Sequence, residues 1–192
     1  MRKAPERLSK VPCRECVRAV WANQEGGGAG GYVTGDRTST ITATSNISFS
    51  QGTASNLVDG VDGSDTSSDA VQLPWVASSG KYFRFDFGTA TTFVEARHTS
   101  ANTDTHGVFK WQGSNVAGGA SGYVDIGSSF TWGGVAQTHT ELNGNSTAYR
   151  YYQLIGLSSS FSGNCWIREW EFKTDASPSI METQLHGWAV NY

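Results

Sequence analysis

The sequence predicts an all-β protein built as a β-sandwich. Three observations support this prediction: the chain is rich in small polar residues, rich in aromatic residues and poor in charge. Its 192 residues include 23 Gly, 23 Ser, 19 Thr and 7 Trp, and only 16% are charged, against about 25% in an average soluble domain. Ala, Leu, Glu and Lys are too scarce for a helical bundle, and aromatic residues at 12% exclude a disordered chain. No apolar run approaches the ~20 residues of a membrane span, so we expect no membrane insertion.

Charge divides the chain into two parts. The formal net charge is −3, and residues 1–25 alone carry six basic and three acidic side chains. The acidic remainder is a poor nucleic-acid binder, because phosphate contact needs clustered Lys and Arg. We therefore predict no nucleic-acid partner, and we interpret residues 1–24 as a basic arm that docks on an acidic partner.

Glycines mark the boundary of this arm. Five of the six residues at 26–31 are Gly, which is typical of a flexible linker. We expect an anchoring arm and linker at 1–31, a β-sandwich at 32–173 and a C-terminal tail at 174–192. The tail carries Leu185, Trp188 and Val190, so it is expected to pack on its own domain or on another subunit.

The arm also carries two of the three cysteines, Cys13 and Cys16. Three interpretations stay open: ordinary thiols, a disulfide, or half of a metal site that another chain completes. No apolar stretch follows the first basic residues, so we expect no secretory signal.

Alternation of apolar and polar residues predicts the strands. Residues 82–88 place Phe side chains on one face and Tyr82 with two polar residues on the other. Residues 166–173 alternate in the same way, which puts Trp170 and Phe172 opposite Glu169. Further strands are expected at 38–44, 92–98, 107–113, 123–126 and 149–157. Turn residues separate these runs, as in a β-sandwich.

Four ordered motifs resemble the discoidin family (coagulation factor 5/8 type C domains and galactose-binding-like carbohydrate-binding modules). Residues 54–60 contain Asn-x-x-Asp-Gly, and 82–88 form an aromatic strand that ends in Asp-Phe-Gly. Residues 110–115 end in Ser-Asn, and 149–154 with 167–172 resemble the closing strand pair. The resemblance covers about residues 45–173 and implies a jelly-roll β-sandwich that binds carbohydrate without catalysis.

A candidate calcium site lies in an acidic, glycine-rich segment. Four Asp residues stand between 59 and 69 among Gly, Ser and Thr, and Ca²⁺ prefers six to eight oxygen ligands in such turns. The resemblance implies a structural Ca²⁺ here, capped by a Glu of the last strand. The implied ligands are Asp59, Asp62, Ser64 or Thr66, and Glu169. The alternative is a solvated loop stabilised by Asx turns.

A candidate sugar site follows from residues that we expect in loops at one end of the sandwich. Sugar recognition needs an aromatic platform and side chains that bond hydroxyl groups. We predict Trp132 as the platform, while Trp75 and Trp166 are expected to pack in the core or against loops. The predicted polar contacts are Arg97, His98, Asn102 and His106. The alternative for the histidines is ordinary exposure in a loop.

No catalytic motif is present. The sequence lacks GxSxG, HExxH and a P-loop. Glu169 and Glu171 share a strand face, but the resemblance accounts for them. We therefore predict a non-enzymatic protein.

The arm, linker and apolar tail together favour a component of a virus particle. The leading hypothesis is a glycan-binding module of a phage tail, fibre or head spike that mediates host attachment. Residues 1–24 and the tail would contact other virion subunits, and cell-surface polysaccharide would be the ligand. Two alternatives stay open: a structural decoration or adaptor protein, and a glycan-binding module of a secreted bacterial protein.

Overall fold

A computed structural model describes residues 31–62, 69–100, 105–133, 137–142, 145–161 and 165–174. The predicted arm, most of the linker, the cysteine pair and the C-terminal tail lie outside these residues. Within the described part of the chain, no helix is long and apolar enough to cross a membrane.

The described chain forms two antiparallel sheets of five strands each. The strands are β1 (Tyr32–Val33), β2 (Thr42–Ser45), β3 (Val71–Leu73), β4 (Tyr82–Thr91), β5 (Phe93–Ser100), β6 (Thr105–Ser114), β7 (Val124–Gly133), β8 (Gln137–Glu141), β9 (Tyr149–Ser158) and β10 (Cys165–Thr174). The first sheet has the order β1-β10-β5-β8, with β3 also paired to β10, and the second has the order β2-β4-β9-β6-β7. The predicted all-β sandwich is confirmed.

Strand β4 shows how the alternating pattern produces the two faces. Phe83 and Phe85 are fully buried between the sheets, whereas Tyr82 and Arg84 are half-buried on the outer face. Hydrogen bonding pairs β4 with β9, where Phe85 lies opposite Tyr152. The prediction for residues 82–88 is confirmed, because a period of two selects one face of a pleated strand.

The last strand departs from strict alternation. A break in register between Ile167 and Glu169 leaves Arg168 as the extra residue opposite β5. Such a bulge reverses the facing of all residues on one side of it. As a result Ile167 joins Trp170 and Phe172 in the core. Strict alternation along the strand would place Ile167 on the face opposite Trp170 and Phe172.

Several short elements were not visible in the sequence. Strands β1, β3 and β8 have two to five residues, too few for a period to stand out. The strand expected at 38–44 begins only at Thr42. Its first residues form a turn, in which the backbone N–H and hydroxyl of Thr38 both donate to Asp36 Oδ1.

Aromatic rings fill the space between the sheets. Phe85 from the second sheet contacts Trp170 and Phe172 from the first, with ring centroids 6.3 and 4.9 Å apart. Trp111 meets Trp170 edge to face at 5.4 Å. Edge-to-face contact is a favoured geometry for aromatic pairs. These ring contacts hold the two sheets together.

Candidate functional site

Three of the predicted sugar-binding residues lie inside the protein. His98, His106 and Trp132 are 1%, 0% and 0% exposed. The indole Nε1 of Trp132 donates to His98 Nε2 at 2.9 Å, and the His106 ring lies 5.0 Å from the Trp132 ring. The prediction is therefore wrong for these three residues, because side chains sealed between two sheets cannot contact a sugar.

Backbone geometry explains this inward placement. His98 shares a face of β5 with Ala96 and Ser100, both of which are also buried. A break in register between Thr105 and Gly107 turns His106 toward the core. The histidines therefore belong to strands, where the pleat fixes their direction, and not to the loop in which they were predicted.

His106 also approaches a cysteine. The Cys165 Sγ and His106 Nε2 atoms are 2.8 Å apart, and both residues are fully buried. A thiol beside an imidazole is the arrangement of an activated nucleophile. Here the pair lies among Phe161 and Trp132, so no substrate can reach it. We assign it to the polar network of the core.

Arg97 lies on the outer face of the first sheet. Its guanidinium pairs with Glu171 and lies 4.0 Å from the centroid of the Tyr32 ring. The charge of Arg97 is therefore compensated, and its planar group is covered by an aromatic ring. Asn102, the remaining predicted contact, lies outside the described residues.

The exposed aromatic platform is a different tryptophan. Trp75 is 78% exposed, whereas Trp166 is 8% exposed. Trp166 thus packs as predicted, and the packing role predicted for Trp75 is wrong. The neighbouring Val76 is also exposed, at 37%. Tryptophan is enriched at binding interfaces, so this exposed indole is a candidate contact for a ligand or partner.

The loop that carries Trp75 is firmly attached to the end of the sandwich. It joins β3 to β4 and lies beside the end of β9. The Ser78 N–H and hydroxyl donate to the carbonyls of Ser159 and Ser158, at 3.0 and 2.7 Å. Further along the same segment, Phe161 donates its N–H to the Val76 carbonyl at 2.9 Å. Trp75 is therefore presented from a fixed backbone.

Local backbone geometry supports the same attachment. Gly107 has φ +102°, and a Cβ at this position would lie 2.3 Å from the Ser158 carbonyl oxygen. Only glycine lets β6 approach β9 so closely here. Ser159 has φ 70°, a conformation that is uncommon for a residue with a side chain. Such strain concentrates where a loop is held in a functional shape.

The predicted metal ligands make other contacts. Glu169 is buried and forms an ion pair with Arg37, and its Oε2 accepts the Gly60 N–H at 3.0 Å. The two oxygens of Asp59 accept hydrogen bonds from Asn56 and Val61, both at 3.0 Å. Asp62 is exposed, with Arg168 Nη1 at 3.4 Å.

These contacts decide how the described carboxylates fit calcium. The guanidinium of Arg37 already forms an ion pair with the Glu169 carboxylate. It also donates hydrogen bonds to the carbonyl oxygens of Val33 and Gly35, at 2.9 and 3.0 Å. An oxygen set filled by an internal cation has no place for a second one, so Glu169 as found does not fit a calcium ion. No cluster of three or more His, Cys, Asp or Glu that could hold a metal occurs among the described residues. Ser64 and Thr66 lie outside them.

Burial shapes the electrostatics of this ion pair. Both side chains are about 95% buried. Burial lowers the pKa of the Arg37 guanidinium, and nearby carboxylates led by Glu171 oppose that shift. The neutralising contact with Glu169 is therefore what allows a guanidinium to lie inside the domain.

The two antiparallel sheets form a β-sandwich whose fold is shared with solved carbohydrate-binding modules. No family model and no curated protein matches the sequence. Solved structures of family 32 carbohydrate-binding modules do share the fold. They include the family 32 module of C. perfringens NanJ in complex with galactose, at 14% identity, with 73% of this chain and 98% of that chain covered and a TM-score of 0.52.

Two further solved structures are similar to the same degree. Chitosan-binding module 1 of a chitosanase/glucanase from Paenibacillus sp. IK-5 has 16% identity, covers 69% of this chain and 94% of that one, and gives a TM-score of 0.51. The Clostridium perfringens module CpGH89CBM32-5 in complex with GalNAc-beta-1,3-galactose has 11% identity, covers 70% and 95%, and gives 0.50. Identities this low establish the fold, which confirms the sequence resemblance at that level.

Proposed function

We propose that this chain is a carbohydrate-binding module and that Trp75 is its sugar platform. The observation that carries the proposal is an indole 78% exposed on a loop fixed by backbone hydrogen bonds. A flat aromatic face packs against the apolar face of a sugar ring, and a rigid mount reduces the entropy lost on binding. The shared fold with a module solved in complex with galactose supports the same function.

Glycan binding by the full chain tests this proposal. A glycan array would identify neutral ligands, and titration calorimetry would give the affinities of the wild type and of Trp75→Ala. We expect Trp75→Ala to weaken binding at least about tenfold, since buried aromatic anchors dominate binding energy. The matched control is Val124→Ala. Val124 is an apolar residue that is 50% exposed, and it begins β7, where it pairs with Gly113 at the end of β6. Equal binding by Trp75→Ala and the wild type would contradict the proposal.

The particle context is a finer proposal. Attachment of a phage or phage-like virion to host glycans rests on the basic arm, linker and apolar tail, which lie outside the described residues. If the chain is instead a decoration or adaptor protein, the Trp75 loop is covered by a neighbouring subunit. A density map of an intact assembly would distinguish the two roles by showing whether Trp75 faces solvent.

A further inference from the structure

A concave surface lies on the outer face of the second sheet, away from the core of the sandwich. It is a groove of about 350 Å³, a size typical of ligand pockets. The floor and walls are formed by Thr42, Thr44, Tyr82, Arg84, Asp86, Gly118 and Tyr151. The groove therefore combines hydroxyl groups, aromatic rings, the guanidinium of Arg84 and the carboxylate of Asp86, which is paired with Arg150.

The guanidinium of Arg84 is held in place from three sides. Its Nε and Nη2 atoms both donate to Gln153 Oε1, at 3.1 and 2.7 Å. Its carbon lies 4.4 Å from the centroid of the Tyr82 ring and 5.0 Å from that of Tyr123. Gln153 in turn donates to Gln112 at 3.0 Å. Stacking and hydrogen bonds orient the planar group before any ligand arrives.

Arg84 differs from the other cations on this sheet face in having no carboxylate. Lys110 pairs with Asp125 at 2.9 Å, and Arg150 pairs with Asp86 through two contacts at 2.8 and 2.9 Å. Within the described ranges, no Asp or Glu lies at ion-pair distance from Arg84. Its Nη1 also donates to no described residue. A half-buried positive charge at the floor of a groove attracts an anion.

One wall of the groove is a structured loop. The loop from β6 to β7 folds over the sheet, where the Gly118 N–H donates to the Tyr151 hydroxyl at 3.1 Å and the Tyr123 hydroxyl donates to the Gly119 carbonyl at 2.9 Å. Gly119 has φ +60°, and a Cβ there would lie 2.5 Å from the Tyr151 ring. Glycine is therefore needed for the loop to lie this close.

We infer that this groove binds an anionic glycan, with Arg84 receiving the carboxylate or sulfate group of one sugar residue. Nη1 supplies free N–H donors to the oxyanion. The half-buried Tyr82 ring offers an apolar face to the sugar, and the exposed hydroxyls of Thr42 and Thr44 on the facing wall can bond its hydroxyl groups. This site goes beyond the proposed function, because it uses neither Trp75 nor the loop that carries it.

Calorimetry with defined oligosaccharides tests the inference. The probes are a tetragalacturonate, its carboxyl-reduced neutral analogue and a sulfated galactan oligosaccharide of similar length. The variants of the full chain are Arg84→Gln, Arg84→Lys and, as a matched control on the same face, Lys110→Gln, whose partner Asp125 does not line the groove. We expect Arg84→Gln to weaken binding of the anionic probes about tenfold to a hundredfold, the effect of losing a charge-assisted hydrogen bond. The affinity for the carboxyl-reduced analogue should be the same in the wild type and in Arg84→Gln.

Each outcome has a defined meaning. Preference for the uronate or for the sulfated probe identifies the source of the oxyanion, and either supports the site. Equal losses in Arg84→Gln and Lys110→Gln, or no anionic binding by the wild type, would overturn it. Circular dichroism checks that Arg84→Gln is folded, and Arg84→Lys should retain part of the affinity because it keeps the charge. Light scattering tests whether a second copy of the chain occupies the groove. A dimer that dissociates in Arg84→Gln would show that the groove binds protein.

The two proposals fail independently. Trp75→Ala should leave binding of the anionic probes intact, and Arg84→Gln should leave neutral glycan binding at the loop end intact. If Trp75→Ala abolishes binding of both ligand types, all binding belongs to the loop end and the groove is excluded.

Discussion

Arg37 and Glu169 form a buried ion pair beside the middle of β10. This part of β10 lies between the residues that pair with β3 and those that pair with β1. The backbone donates to the same pair, because the Gly60 N–H bonds to the Glu169 carboxylate. The ion pair thus attaches the segment between β1 and β2 to the last strand, and the Gly60 hydrogen bond with the apolar packing of Leu57 and Val58 attaches the segment between β2 and β3.

Removing one partner of this pair should destabilise the domain strongly. We expect Glu169→Gln to lower the free energy of unfolding by about 3 to 5 kcal/mol, because it leaves the Arg37 charge buried without compensation. In a domain of this size that corresponds to a fall in Tm on the order of 10 °C. Calorimetric unfolding measures both quantities.

A double variant provides the control for this prediction. Arg37→Met combined with Glu169→Leu should cost less than Glu169→Gln alone, since it removes both charges and their desolvation. If the single and double variants unfold at the same temperature, the pair does not act as a charge-compensated unit.

The same ion pair makes a prediction about calcium. Because Arg37 already neutralises Glu169, we expect neither millimolar calcium nor a chelator to change the Tm of the wild type. Asp59 adds to this expectation, since both of its oxygens accept hydrogen bonds. A rise in Tm with calcium that persists in Glu169→Gln would instead place an ion on the segment that contains Ser64 and Thr66.

The sequence was sufficient to predict the architecture because side-chain alternation directly reports the two faces of a long strand. Residues 82–88 show this, with Phe83 and Phe85 fully buried as their positions require. The limit is the bulge. One extra residue at Arg168 or beside His106 reverses the facing of the chain beyond it, and no residue type marks that position.

The site was harder to predict because a polar side chain can form hydrogen bonds either with a ligand or with another residue inside the protein. The sequence predicts His98 as a sugar contact, yet in the folded domain it accepts a hydrogen bond from the indole of Trp132, on a strand of the other sheet. Arg37 and Glu169 likewise meet only after folding. Trp75 had one usable indication, since it follows Pro74 and proline favours a turn or loop.

The contact between Trp132 and His98 is expected to be structural and not part of ligand binding. We predict that Trp132→Phe leaves glycan affinity unchanged but lowers the free energy of unfolding by about 1 to 3 kcal/mol, because a buried hydrogen bond and part of a ring are lost. Chemical unfolding and glycan titration of the same variant measure the two effects separately.

A double-mutant cycle identifies the contact itself. Trp132→Phe and His98→Phe should be non-additive by about 0.5 to 3 kcal/mol, since each removes the partner of the other. Additive effects would show that the hydrogen bond contributes nothing. Loss of glycan affinity in Trp132→Phe without loss of stability would restore Trp132 as a ligand contact.

The wall of the groove carries a tyrosine whose ionisation reports on Arg84. Burial raises the pKa of Tyr123 to about 12, and the positive charge of Arg84 opposes this shift. A group whose pKa is higher in the folded state stabilises that state fully below its unfolded pKa, about 10. The stabilisation from Tyr123 should therefore be complete below pH 10 and decline as the pH rises from 10 to 12.

Two measurements follow from this relationship. The difference in unfolding free energy between the wild type and Tyr123→Phe should be constant up to pH 10 and shrink above it. At pH 11, NMR of the labelled tyrosine ring should show Tyr123 still mostly protonated, and Arg84→Gln should raise its pKa further because the opposing charge is gone. An anionic glycan bound at Arg84 should shift the pKa in the same upward direction, since it neutralises that charge. A Tyr123 that titrates near pH 10 and ignores both changes would show that its ring is not buried against Arg84, and the wall of the groove would then have to be redrawn.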